Sequence, residues 1–273
     1  MSSMSLESFL IIIAGGFVTG ILGALFGIGG GLFLIPFLVI LFHIPMHTAI
    51  ATSLVAIIAT SSAAASVYVE RRQTNIRLGM ILEITTTIGA ILGGITANMI
   101  SGLLLKKFFA VIIMIMGFIM LHRSRKRGER QTELVPGARL NGKYLDGATG
   151  KIVEYSVRRI PMGMGISFIA GNISGLLGVG GGVIKVPAMN LFCGVPMKAA
   201  TATSNFMIGV TAVASAFIYY AHGHIEPLVT SAAVIGVLIG SLLGTRIGYR
   251  ITNKVITGLF ALVMLLIALR MFF

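Results

Sequence analysis

Residues 27–36 and 178–187 both read Gly-x-Gly-Gly-Gly-x-x-x-x-Pro, 151 positions apart. Without a gap, the same offset carries Pro45-Met46 onto Pro196-Met197 and Ala51-Thr52-Ser53 onto Ala202-Thr203-Ser204. It also carries Tyr68 onto Tyr219, Gly89 and Gly93 onto Gly240 and Gly244, and Phe109-Ala110 onto Phe260-Ala261. Chance matching of apolar letters does not hold glycines, prolines and a Thr-Ser pair in one register over about a hundred residues. The chain reads as a duplication, so any fold for it must be built twice.

The medium follows from composition. Hydrophobic residues make up 56% of the 273 and charged ones 11%, whereas about a quarter are charged in ordinary soluble domains. With a mean hydropathy of +0.98, the chain cannot clothe itself for water and belongs in a bilayer. Apolar stretches cover about 9–28, 32–42, 47–69, 78–99 and 103–121, then 161–179, 183–193, 197–220, 227–248 and 254–272. The N-terminal stretch lacks a basic leader and a small-x-small cleavage site and reads as retained. Most stretches approach the ~20 residues that cross a hydrocarbon core. The second and seventh are too short: eleven helical residues rise only about 16 Å. Each follows a glycine cluster directly, so each reads as a half-length helix behind a break.

The expected fold is therefore an all-α polytopic membrane protein with two repeats of five helical segments, 9–121 and 161–273, around a hydrophilic loop at 122–160. Lysine and arginine decide the orientation, because they concentrate on the cytoplasmic side. If each repeat makes an odd number of crossings the repeats are inverted, and 17 of the 21 Lys and Arg fall on one side with Lys106, Lys107 and Arg270 on the other. A parallel arrangement weakens the split to 14 against six. The inverted reading puts both termini outside the cytoplasmic membrane and the 122–160 loop inside. His122 to Arg127 then forms a juxtamembrane basic cluster suited to anionic lipid, and the net charge of +13 is a topology signal rather than a sign of nucleic acid. Residues Tyr144 to Tyr155 alternate around a glycine-bearing turn, as a β-hairpin does.

Irregular backbone at membrane depth survives only when buried or lining a cavity. A half-helix starting at Gly31 or Gly182 aims unpaired N–H groups and its positive dipole end at what precedes it, which favours an anion. Gly29, Gly30, Gly31, Gly180, Gly181 and Gly182 are accordingly candidate anion-binding residues. The competing reading is that they only let helices cross closely. Lys185, whose repeat partner is Leu34, is the one basic residue at midplane depth. It either meets the anion or snorkels or pairs with an acid. Thr52, Ser53, Thr203, Ser204 and Asn205 follow the short helices and can donate to an oxyanion, although such side chains also bond their own helix. Glu83 is a candidate carrier of a coupled proton, or a counter-ion to Lys185, or an interfacial group near Arg77.

Other chemistries lack their residues. His43 and His47 lie in one repeat, and His222, His224 and Glu226 in the other, without a third ligand at helical spacing, so no metal is expected. Dinucleotide fingerprints, a Walker loop and hydrolase motifs are missing, so neither a cofactor nor an enzyme is expected. Cys193 is the sole cysteine, which excludes an intrachain disulfide.

The duplicated glycine-proline motif, each copy followed by Ala-Thr-Ser, resembles the TauE/SafE family of membrane proteins, and the Tyr144–Tyr155 stretch is similar to an insert in many of its prokaryotic members. The resemblance implies a secondary transporter of small sulfur-containing anions such as sulfite or organosulfonates, usually an exporter. It does not extend to Lys185, which rests on its local setting. A non-transporting scaffold or sensor acting through the basic loop is the alternative.

Overall fold

A computed structural model describes residues 5–125, 140–146, 150–248 and 268–271. Nine helices and one hairpin are found among them: α1 (Leu6–Phe26), α2 (Gly31–Leu41), α3 (Met46–Glu70), α4 (Ile76–Met99), α5 (Gly102–Arg125), β1 (Gly142–Asp146), β2 (Lys151–Tyr155), α6 (Ile160–Leu177), α7 (Gly182–Leu191), α8 (Met197–Ala221) and α9 (Pro227–Gly248). Six of these, α1, α3, α4, α6, α8 and α9, are long and apolar enough to cross a membrane. The tenth expected segment and the Lys126–Arg127 end of the basic cluster lie largely or wholly outside the described residues.

Local chemistry sets the helix ends. Ser5 caps α1 by accepting from Ser8 N, and Gly27 ends it at φ 68°. Gly29 and Gly30 continue at φ 83° and 80°, a left-handed run that L side chains adopt at a cost, before α2 begins at Gly31. The second cluster repeats the pattern, with Gly178, Gly180 and Gly181 at φ 67°, 74° and 68°. Pro36 and Pro187 sit inside the short helices, and Pro45 and Pro196 precede the long helices that follow. Expectation and structure differ by two residues at the end of α7, because Gly194 turns left-handed at φ 75°.

Small residues hold the long helices together. Gly16 faces Ala233 O, Gly20 faces Val237, and Gly244 faces Ile21, so α1 and α9 run side by side in the same direction. On the far side Gly89 meets Phe168 O, Gly93 meets Asn172 O, and Gly171 and Gly175 meet Thr86 O and Ala90 O, which pairs α4 and α6 in the same way. Without Cβ atoms the backbones approach closely enough for carbonyls to touch α-carbons. Between the two pairs, α3 and α8 lie antiparallel. His47, at the start of α3, stacks on His224, just past the end of α8, while Asn75 N, just past the end of α3, donates to Thr203 Oγ1 near the start of α8. Outward, α4 exposes Ile84, Ile88, Ile91 and Ile95, one helical face left for lipid.

The hairpin pairs Gly142 with Tyr155 through Asp146 with Lys151; its turn residues 147–149 are outside the described set. Tyr144 and Tyr155 meet edge to face at 6.4 Å and enter a cluster with Leu78, Leu82, Val186, Met189, Cys193 and Ala199. Asn75 Nδ2 donates to Leu140 O and to the Tyr155 hydroxyl. The hairpin thus caps one end of α4, α7 and α8. Tyr155 is 2% exposed, and truncating a buried aromatic costs on the order of 3 kcal/mol. Tyr155→Ala should therefore undock the hairpin, seen as faster proteolysis between residues 140 and 159 with the helices intact. Unchanged cleavage would mean that the docking does not rest on this ring.

Candidate functional site

The two glycine clusters meet at the centre of the molecule and pack on each other. Ser53 Oγ donates to Gly178 O at 2.8 Å, and its repeat partner Ser204 Oγ donates to Gly27 O at 3.2 Å. A Cβ at Gly31 would fall on Gly178 O and Ser53 Oγ, and one at Gly182 on Gly27 O. Ile57 and Ile208 fill the space against Gly29 and Gly180. Two of the four hydroxyls proposed from sequence as anion donors, those of Ser53 and Ser204, are engaged here with carbonyls of the opposite cluster.

A polar cluster lies beside the second break and has no counterpart beside the first among the described residues. Gly181 O accepts from Ile184 N and Lys185 N, which starts α7 and points Lys185 inward, where it is 1% exposed. Lys185 Nζ donates to Thr211 Oγ1 at 3.2 Å and stands 3.7 Å from Glu83 Oε2. Thr211 Oγ1 in turn donates to Glu83 Oε1 at 2.6 Å, and Thr87 Oγ1 donates to the same oxygen at 3.2 Å. A Cβ on Gly181 would stand 3.4 Å from Lys185 Cε and 3.3 Å from Ser174 Cβ, so Ser174 adjoins the lysine stem. Ser174 Oγ, Asn205 Oδ1 and Glu83 Oε2 are buried without a hydrogen bond. At the offset of 151, Lys185, Thr211, Glu83 and Ser174 correspond to Leu34, Thr60, Val234 and Gly23. Thr60 bonds Ala56 O of its own helix.

Of the residues singled out from sequence, the six glycines, Ser53 and Ser204 are brought together, and Glu83 is brought to Lys185. Glu83 is 7% exposed and paired, away from the surface position of Arg77. Thr52 bonds Thr230, Thr203 accepts from Asn75 N, and Asn205 Nδ2 donates to Thr201 O. Sequence reasoning missed Thr211, Thr87 and Ser174. A signal for Thr211 existed: it lies seven residues after Ser204, two turns along the same face of α8.

The two histidine groups, kept apart in the sequence reading, also meet. His47 and His224 stack with centroids 5.0 Å apart, and His222 lies 6.3 Å from His224, nearly parallel to it. His224 Nε2 is 3.0 Å from Asn98 Oδ1, and His47 Nε2 is 3.2 Å from both Ala97 O and Ile100 O. Stacked rings do not converge their nitrogens, and among the described residues no group of three His, Cys, Asp or Glu can hold a metal ion. Burial, then the imidazoles of His47 and His222, hold His224 below the ordinary histidine value of 6.5. A group whose folded value is lowered favours the packed form above its unfolded value, and this support is lost as pH falls below that value through the lowered one. Acidification below neutrality should therefore reduce hydrogen-exchange protection at residues 222–226, and His224→Gln should flatten that dependence. The same slope in the variant would assign it elsewhere.

Long apolar helices, a lipid-facing surface and a buried charged cluster define a multi-pass α-helical membrane protein. The family model for the sulfite exporter TauE/SafE matches residues 12–271, so the chain belongs to that family. It is a membrane transporter and not an enzyme. Relatives include the "Probable membrane transporter protein YunE" of Bacillus subtilis (strain 168), 27% identical over 97% of this chain and 98% of its own. The "Probable membrane transporter protein MJ0441" of Methanocaldococcus jannaschii is 27% identical over 77% of this chain and 71% of its own. A third, from Xylella fastidiosa (strain 9a5c), is 24% identical over 85% and 82%. No solved structure matches the chain.

Proposed function

We propose that the protein exports a small sulfur-containing anion, such as sulfite or an organosulfonate, across the cytoplasmic membrane by alternating access. The observation that carries this reading is the buried Lys185–Thr211–Glu83 cluster beside the break at Gly181. Buried charges in a membrane protein are costly and mark pathways, and α7 begins beside this one with its positive end. The anion takes Lys185 Nζ from Glu83, with the amides of Gly180 to Gly182 and the Asn205 side-chain amide as further donors, joined by the Ser204 hydroxyl when it turns from Gly27 O. Gly29 to Gly31, Thr52 and Ser53 form the matching wall from the first repeat, and Thr203 steadies the second. Glu83 carries a coupled proton.

In this reading residues 9–121 and 161–273 are inverted repeats that rock against each other. The antiparallel course of α3 and α8, which are repeat partners, supports the inversion. The charge distribution supports cytoplasmic placement of residues 122–160, with both termini outside and the basic cluster against anionic lipid. Efflux of radiolabelled sulfite and 2-hydroxyethanesulfonate from liposomes holding the purified protein tests the proposal. Flux above protein-free liposomes is expected. Absence of flux for both anions would favour a scaffold or sensor.

A further inference from the structure

We infer that the protein moves one proton with each monovalent anion, in the same direction, with the proton on Glu83 and the anion on Lys185. The inference rests on the anion-carrier reading and adds the sign and stoichiometry of coupling. Lys185 and Glu83 are the only buried charged side chains among the described residues. The corresponding positions of the other repeat, Leu34 and Val234, offer no third charge to balance them. The elements packed around Glu83, namely α6, α7 and α8, present Lys185 as their one buried charge. Tyr144, Tyr155 and Cys193, in the cluster that adjoins Leu82, are ordinarily uncharged at neutral pH.

The geometry says where the proton goes. Glu83 Oε1 accepts from Thr211 and Thr87, whereas Oε2 is buried without a hydrogen bond and is the oxygen 3.7 Å from Lys185 Nζ. A proton taken from water forms its O–H bond at Oε2, cancels the carboxylate charge and releases Nζ, while Thr211 and Thr87 keep hold of Oε1. The proton returns to water on the opposite side, where Glu83 re-forms its pair with Lys185.

Four loading states are conceivable, and charge separates them. The pair alone is neutral, and so is Lys185 with an anion and a protonated Glu83. An anion beside an ionised Glu83 leaves a charge of minus one, and a protonated Glu83 without an anion leaves plus one. An uncompensated charge in the membrane interior is the costly state, so only the empty and doubly loaded forms interconvert between the two sides. Proton and anion therefore cross together, and no net charge moves. An inward proton gradient opposes export, so outward flux requires an internal anion excess large enough to overcome it.

The full chain in liposomes tests this, with whichever of 2-hydroxyethanesulfonate or sulfite the wild type exchanges. Sulfite is used at mildly acid pH, where monovalent bisulfite predominates. In Glu83→Gln the loaded form stays neutral but the empty form is left positive. Anion-for-anion exchange should persist within about twofold, while net flux falls at least about tenfold. Equal retention of both modes overturns the inference and leaves the carrier reading standing. If the variant loses both modes, the wild type decides: net flux unaffected by a potassium–valinomycin potential supports the inference, and flux that follows the potential overturns it. Neither exchange nor net flux in the wild type removes the carrier reading, and this inference with it.

Discussion

Lys185→Ala is expected to lower both net flux and exchange by about ten- to a hundredfold, since a charge-assisted bond to a buried anion contributes about 1.5–3 kcal/mol. Lys185 Nζ is the cationic donor buried beside the Gly181 break, and its stem passes Gly181 and Ser174. The variant also strands Glu83. Removing one partner of a buried pair costs about 3–5 kcal/mol, whereas replacing both by neutral groups is often close to neutral. Thermal unfolding in detergent should accordingly rank Lys185→Ala below wild type and Lys185→Met/Glu83→Gln near it, while transport is lowered in both variants. A double variant that is both stable and fully active would remove Lys185 from the site.

Gly182→Ala is expected to prevent correct folding. The substitution suits helical backbone, and helix propensity alone would make it favourable by about 1 kcal/mol. Its Cβ, however, falls on Gly27 O and close to Ile208 and Ser204 Oγ. A carbonyl within a packed backbone crossing cannot swing aside as a side chain does, so a destabilisation of about 3 kcal/mol or more is expected. Gly165 is the control: it is helical, and a Cβ there meets nothing within 4 Å. Size-exclusion profiles and melting temperatures should show Gly165→Ala at or above wild type and Gly182→Ala aggregated or markedly less stable. Equal behaviour of the two would mean that the glycine clusters do not pack as described.

Much of the scaffold is legible from local pattern. The break residues are readable because three adjacent glycines before eleven apolar residues make poor sense in a continuous helix, and the left-handed run at Gly29 and Gly30 is what they permit. Gly89 and Gly93, like Gly240 and Gly244, stand at the spacing of close helix crossings, but spacing does not name the partner. The structure assigns α6 to the first pair and α1 to the second. Contacts between repeats are the part that sequence hides. Glu83 reads as shallow because Arg77 is six residues away, about 9 Å along a helix, yet it meets Lys185 and Thr211 from the other repeat. His47 and His224 are 177 positions apart and meet because α3 begins where α8 ends.

The most direct measurement is a structure of the protein with bound 2-bromoethanesulfonate, whose bromine marks the anion by its anomalous signal. The sulfonate is expected against Lys185 Nζ and the Gly181–Gly182 turn, with Glu83 Oε2 withdrawn from the lysine. A sulfonate bound elsewhere, with the Lys185–Glu83 pair intact, would contradict the account.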